Sequence, residues 1–157
     1  MKKLYCAIMI ILVFAVCAWG EGSSVTQTYS PVYSAEGNTN MATLTLAWTS
    51  DSVTGAVSAT TSTAVTDLIA GKYIVLVVTD PGATAPTDDY DITITDANGV
   101  DVMGGALANR DTANTEQTMP AILTGLYFPR PIATALTLNV TAAGNSKVGT
   151  VIIYLSR

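Results

Sequence analysis

Tyr90-Asp91-Ile92-Thr93-Ile94-Thr95-Asp96-Ala97-Asn98-Gly99-Val100-Asp101-Val102 is the stretch on which the fold turns. Tyr90, Ile92 and Ile94 alternate with Asp91, Thr93 and Thr95. A period of two sends the apolar side chains to one face of a strand and the polar ones to the other. Asn98-Gly99 follows, a pair that tolerates positive φ and marks a hairpin between alternating runs. The chain is expected to return through Val100 and Val102.

The same alternation recurs on either side. Leu44, Leu46 and Trp48 alternate with Thr45 and Ala47, and Leu136, Leu138 and Val140 with Thr137, Asn139 and Thr141. After Ala143-Gly144-Asn145-Ser146, residues 148–155 are expected to close a C-terminal hairpin. Residues 73–78 are apolar at every position, which predicts a central strand covered on both faces. Residues 52–66 read as a weak strand pair around Thr54-Gly55, and residues 104–119 as a long polar loop. Pro129 and Pro131 exclude a central strand from residues 126–131. No amphipathic helix of ordinary length is visible, and 24 threonines give the composition of strands. About seven or eight short strands predict an all-β fold, a single antiparallel β-sandwich of jelly-roll or immunoglobulin-like type, over residues 41–157.

Two segments precede it. Residues 21–40 are Ser, Thr, Tyr, Pro and Gly with little periodicity, and read as an extended arm or linker. Residues 1–20 read as a secretory leader. Met1-Lys2-Lys3 is a positive start, residues 4–19 are apolar without a break, and small residues follow. A membrane-spanning helix needs about 20 apolar residues, more than this run supplies. Ala18 and Gly20 suit a cut before Glu21, and Val16 with Ala18 suits a cut after Ala18. An uncleaved membrane anchor, the one route by which this chain would meet a membrane, and lipidation at Cys17 are the alternatives. On the leader reading the protein is exported to the periplasm or the medium.

The chain of 157 residues carries 12 acidic and 7 basic side chains, a formal net charge of −5, and no histidine. Without Lys2 and Lys3, five basic residues face the same 12 acids, a net charge of −7. Such a chain has no clustered cations with which to neutralise phosphates, so nucleic acid is not expected as a partner. Both cysteines, Cys6 and Cys17, lie in the leader. The domain therefore has no disulfide, no thiolate metal site and no Ser-His-Asp or Cys-His machinery. It also lacks a glycine-rich phosphate loop.

What remains is carboxylate chemistry around the hairpin. Asp96, Asn98 and Asp101 place oxygen ligands at near-alternate positions beside a turn glycine, a pattern suited to calcium, although the full EF-hand spacing and its terminal Glu are missing. Asp and Asn equally favour turns for their own sake. Carboxylate pairs are too many and aromatic residues too few to point to a glycosidase, and no enzymatic activity is expected. Asn139-Val140-Thr141 has glycosylation spacing but falls in a strand pattern. Tyr127, Phe128 and Arg130 offer an interface patch, since aromatic residues and Arg are enriched at contacts. Arg110 is a further contact residue, or else the partner of Asp111 in a local ion pair.

Several strings carry a resemblance. Leu46-Ala47-Trp48-Thr49-Ser50-Asp51, residues 81–91 from Pro81-Gly82-Ala83 to Asp89-Tyr90-Asp91, Gly99-Val100-Asp101-Val102 and Ala108-Asn109-Arg110-Asp111-Thr112-Ala113-Asn114-Thr115-Glu116 come in that order. Leu136-Thr137-Leu138-Asn139-Val140-Thr141, Gly144-Asn145 and Gly149-Thr150-Val151 complete the set, which spans roughly residues 44–155. It resembles small uncharacterised proteins encoded by tailed phages and prophages, generally regarded as virion-associated structural proteins. The resemblance implies a non-enzymatic protein that decorates a head or belongs to a tail, with other virion proteins and further copies of itself as partners. It carries over no catalytic residue and no cofactor. The leader suggests the alternative, an exported binding module at the cell envelope or surface.

Overall fold

Alternating Thr and branched apolar residues leave one face of each strand to bury, and in this chain those faces meet in one core. The computed structural model describes residues 12–17, 22–32 and 40–157. In chain order the elements are β1 (Leu12–Cys17), β2 (Ser24–Val32), β3 (Met41–Thr49), β4 (Val57–Thr60), α1 (Thr63–Ile69), β5 (Tyr73–Pro81) and β6 (Asp91–Thr95). They continue with β7 (Glu116–Thr118), β8 (Ala121–Leu123), β9 (Leu126–Tyr127), β10 (Arg130–Pro131), β11 (Thr137–Thr141) and β12 (Val148–Ser156). Every strand pairing is antiparallel, and the fold is all-β.

The large sheet runs β1-β2-β3-β12-β5, with β7 and β10 sharing the far edge of β5. The small sheet runs β4-β11-β6, and β8 and β9 form a two-stranded sheet. Leu44, Leu46 and Trp48 of β3, Val151, Ile153 and Leu155 of β12, Ile92 and Ile94 of β6, and Leu138 and Val140 of β11 belong to one buried cluster. At β12 the alternation is complete, each buried residue being followed by a half-buried one. Gly149 stands opposite Trp48 in the β3–β12 register because the indole lies across it. A Cβ at position 149 would stand 2.5 Å from Trp48 Cζ2. The indole also meets the Tyr90 ring, 6.0 Å between centroids and tilted by 54°, which links the large sheet to the start of β6.

Four sequence expectations change here. Residues 21–40 are not an arm throughout, because Ser24–Val32 is a full strand paired along the whole of β3. Its alternation was masked by Gln27, which occupies an inward position between Val25 and Tyr29 and is 1% exposed. The Gln27 amide donates to Thr60 O at 3.0 Å and accepts from Ser62 N at 3.0 Å. Ser62 in turn caps α1, its hydroxyl accepting from Val65 N. A buried amide is tolerated once its donors and acceptors are paired, and this one fixes the end of β4 and the start of α1.

The second change concerns residues 73–78, where only one face is buried. A bulge at Val75 shifts the register between Tyr154 and Leu155, so Ile74 and Val77 both point inward. The unbroken apolar run is a phase shift, as a bulge produces, rather than burial on both sides. Third, residues 52–66 hold a turn, β4 and the short helix α1 instead of a strand pair. Fourth, β11 and β12 are not a hairpin: β11 lies at the centre of the small sheet and β12 at the centre of the large one. The connection between them is stitched to Ser50, whose hydroxyl donates to Gly144 O at 2.7 Å and accepts from Lys147 N at 2.8 Å.

Of the leader reading of residues 1–20, all but 12–17 lies outside the described residues. Those six form β1 along β2, from Leu12 opposite Tyr29 to Cys17 opposite Ser24. Among the described residues no helix is long and apolar enough to cross a membrane.

Candidate interaction surface

The hairpin β8–β9 is built to present apolar side chains outward. Thr124-Gly125 makes its turn with Gly125 at φ 77°, and Phe128 N closes its base on Pro120 O at 2.9 Å. The hairpin rests on residues 102–107, where Val102, Met103 and Leu107 are buried in the main core. Ala121 N donates to Met103 O at 3.0 Å. Gly104, at φ 60°, is what allows the two backbones to approach, because a Cβ there would run into Ala121 O. Between the hairpin and Gly104-Gly105 runs a groove of about 270 Å³, lined also by Ile122, Leu123 and Tyr127.

Ile122, Leu123, Leu126, Tyr127 and Phe128 are all exposed, Leu123 to 67% and Phe128 to 60%. Five large apolar residues stand in solvent within seven positions on this one hairpin, and exposed apolar groupings of this kind mark contact sites. Of the interface residues expected from sequence, Tyr127 and Phe128 lie in this patch. Arg130 follows on β10, half-buried beside Ile74.

Arg110 does not join them. Its side chain is 12% exposed and its Nε lies 3.6 Å from Glu116 Oε2. The guanidinium also donates to Ala108 O. The ion pair is therefore with Glu116 rather than Asp111, whose carboxylate accepts instead from Ala113 N, Asn114 N and Asn114 Nδ2. Those bonds hold the Asp111 carboxyl below the usual carboxylate range. Arg110 and Asp111 each tie down their own loop.

Ile122, Leu123 and Leu126 were overlooked in the sequence reading. Their signal is the short apolar run Ala121-Ile122-Leu123 between Pro120 and Gly125, resumed at Leu126 after the glycine, too brief and too closely flanked by proline to enter a central strand.

Asp96, Asn98 and Asp101 do share one turn. Asp96 Oδ1 accepts from Val100 N at 3.0 Å and Asn98 N at 2.9 Å, and these bonds, that from Val100 foremost, lower the Asp96 pKa. Asp101 accepts from Met103 N at 2.9 Å and Gly105 N at 2.6 Å. Both carboxylates thus organise backbone, and the Asp101 pair shapes the base on which the hairpin sits. The return strand expected through Val100 and Val102 is reduced to the bridge between Thr95 and Asp101. Among the described residues no three His, Cys, Asp or Glu side chains gather as a metal site. Asn139 lies within β11, its Oδ1 accepting from Ser58 Oγ at 3.0 Å.

The outward face of the large sheet is a second surface. Thr26 and Thr28 of β2, Thr43 and Thr45 of β3, and Ile152 and Tyr154 of β12 alternate with the buried positions. Asp80 of β5 is the one charged residue at the outward positions of β2, β3, β12 and β5. Compared with family models, curated proteins and solved structures, the chain matches none of them.

Proposed function

We propose that this chain is a structural protein without enzymatic activity, acting through protein–protein contacts in a tailed-phage particle as a head decoration or tail-associated subunit. On this reading its two main sheets make a β-sandwich of jelly-roll or immunoglobulin-like type, and its partners are other virion proteins and further copies of itself. One observation carries the proposal: the apolar hairpin β8–β9, held out from the core on a base fixed by Gly104 and Asp101. A monomer gains nothing from five exposed apolar side chains, whereas a subunit recovers their burial at about 25 cal/mol per Å² on docking. No cofactor is needed for such a role.

The test is the double variant Leu123→Ser with Phe128→Ser. Both side chains stand in solvent, so stability should move by no more than about 0.5 kcal/mol per substitution. Co-sedimentation of the chain with purified particles is expected to fall at least tenfold. Particle association equal to that of the parent chain would overturn the hairpin as the contact.

A second reading, an exported module at the cell envelope or surface, is favoured by the leader pattern of residues 1–20. Intact mass of the chain from particles and from the envelope fraction separates the two. A chain beginning near Glu21 and found only in the envelope or medium excludes the virion role.

A further inference from the structure

The two long edges of the large sheet are closed in different ways. At β5 the edge is shared by β7 and β10, both short, and Pro131 of β10 has no N–H to offer a further strand. At β2 the edge is closed, among the described residues, by β1, and β1 is drawn wholly from the apolar run read as a leader. We infer that the β2 edge is an assembly edge, covered by β1 in the unprocessed chain and paired with β2 of a second copy once residues 1–20 are removed. The inference rests on the leader reading.

The occupant follows from what removal of β1 leaves behind. Ser24-Val25-Thr26-Gln27-Thr28-Tyr29-Ser30-Pro31-Val32 has no charged residue, and its first six positions already accept a strand in antiparallel register. Natural edges are guarded by Lys, Pro or bulges, and here only Pro31, beyond the β1 register, serves as a guard. Two copies of this edge are self-complementary about a two-fold axis. Centred on Gln27, the pairing sets Val25 against Tyr29 on the inward face and Thr26 against Thr28 on the outward face. Aromatic with β-branched and Thr with Thr are favourable cross-strand pairs. This register also leaves Pro31 outside the ladder. Both open edges close at once, so the product is a dimer with one continuous sheet rather than a filament.

The test starts from the full chain expressed in an exporting host, with intact mass to read its N-terminus and light scattering to read its molar mass. The product cut near residue 20 is expected to have twice the monomer mass. Thr26→Lys with Thr28→Lys sets like charges opposite each other across the axis and should return it to monomer, while Ala47→Lys on β3 should leave the dimer intact. Unchanged circular dichroism shows that these outward positions tolerate the lysines, while the melting temperature of the double variant should fall with the lost association. A cut chain that stays monomeric overturns the assembly edge alone. A double-lysine variant that stays dimeric does the same. A chain that retains residues 1–20, whatever its mass, overturns the leader step and the inference with it.

Discussion

Asp51, Asp96 and Asp111 all turn their carboxylates onto backbone N–H groups, and each is held below the ordinary carboxylate pKa of 3.8 by those bonds. At Asp51 the largest effect is from Thr54 N, then from Val53 N. Tyr90 goes the other way: burial of its phenol pushes the pKa from 10.0 up to about 12. The signs differ accordingly. For the three aspartates the unfolded chain takes up protons first as pH falls through about 3.8 and below, so stability is lost on acidification. For Tyr90 the unfolded chain ionises first, so stability is lost as pH rises from 10.0 to about 12. Urea midpoints across pH should therefore show a plateau with two falling flanks. Tyr90→Phe is expected to make the alkaline flank shallower and leave the acid flank in place; an unchanged alkaline slope would refute the assignment. The burial of Tyr90 was legible, since it starts the alternation with Ile92 and Ile94. Gln27 was not, because an inward amide looks like an outward one until its partners on Thr60 and Ser62, more than thirty residues away, are known.

Among the elements, short-range pattern was readable and strand partnership was not. The strands at β3, β6, β11 and β12 follow from residues two apart. That β12 pairs with β3 and β5, and not with β11, depends on the Ser50 stitch and on which faces meet. The hairpin β8–β9 is the element whose position depends most on a single residue. Gly104→Ala adds a Cβ where Ala121 O already stands, and the residue must also hold φ 60°. Misplaced packing of this kind costs about 1–3 kcal/mol, and it falls where the hairpin meets its base. Limited proteolysis of this variant is expected to cut within residues 120–128 at least several-fold faster than in the parent, with the large sheet still protected. Equal cleavage rates would mean that the hairpin does not rely on this approach.

For the whole molecule, one cluster of buried residues reaches from Val25 of β2 to Leu155 of β12 and includes both the large and the small sheet. With a shared core neither sheet has apolar packing of its own to fall back on, so unfolding should be a single transition. Tryptophan fluorescence of a Trp19→Phe chain, which then reports Trp48 in the large sheet, and exchange of the β6 and β11 amides in the small sheet should give one midpoint. Two midpoints would show separable layers. The all-β class was written in the alternation, while the unequal division into two main sheets was not, because it rests on contacts between residues far apart in sequence. The central place of β12 carries a consequence for biogenesis. Residues 148–156 join β3 to β5, yet they are synthesised after both. Until they emerge, the nascent chain holds two half-sheets with no strand between them. The large sheet can therefore close only after residues 148–156 have left the ribosome, so the last strand made is the one that completes it.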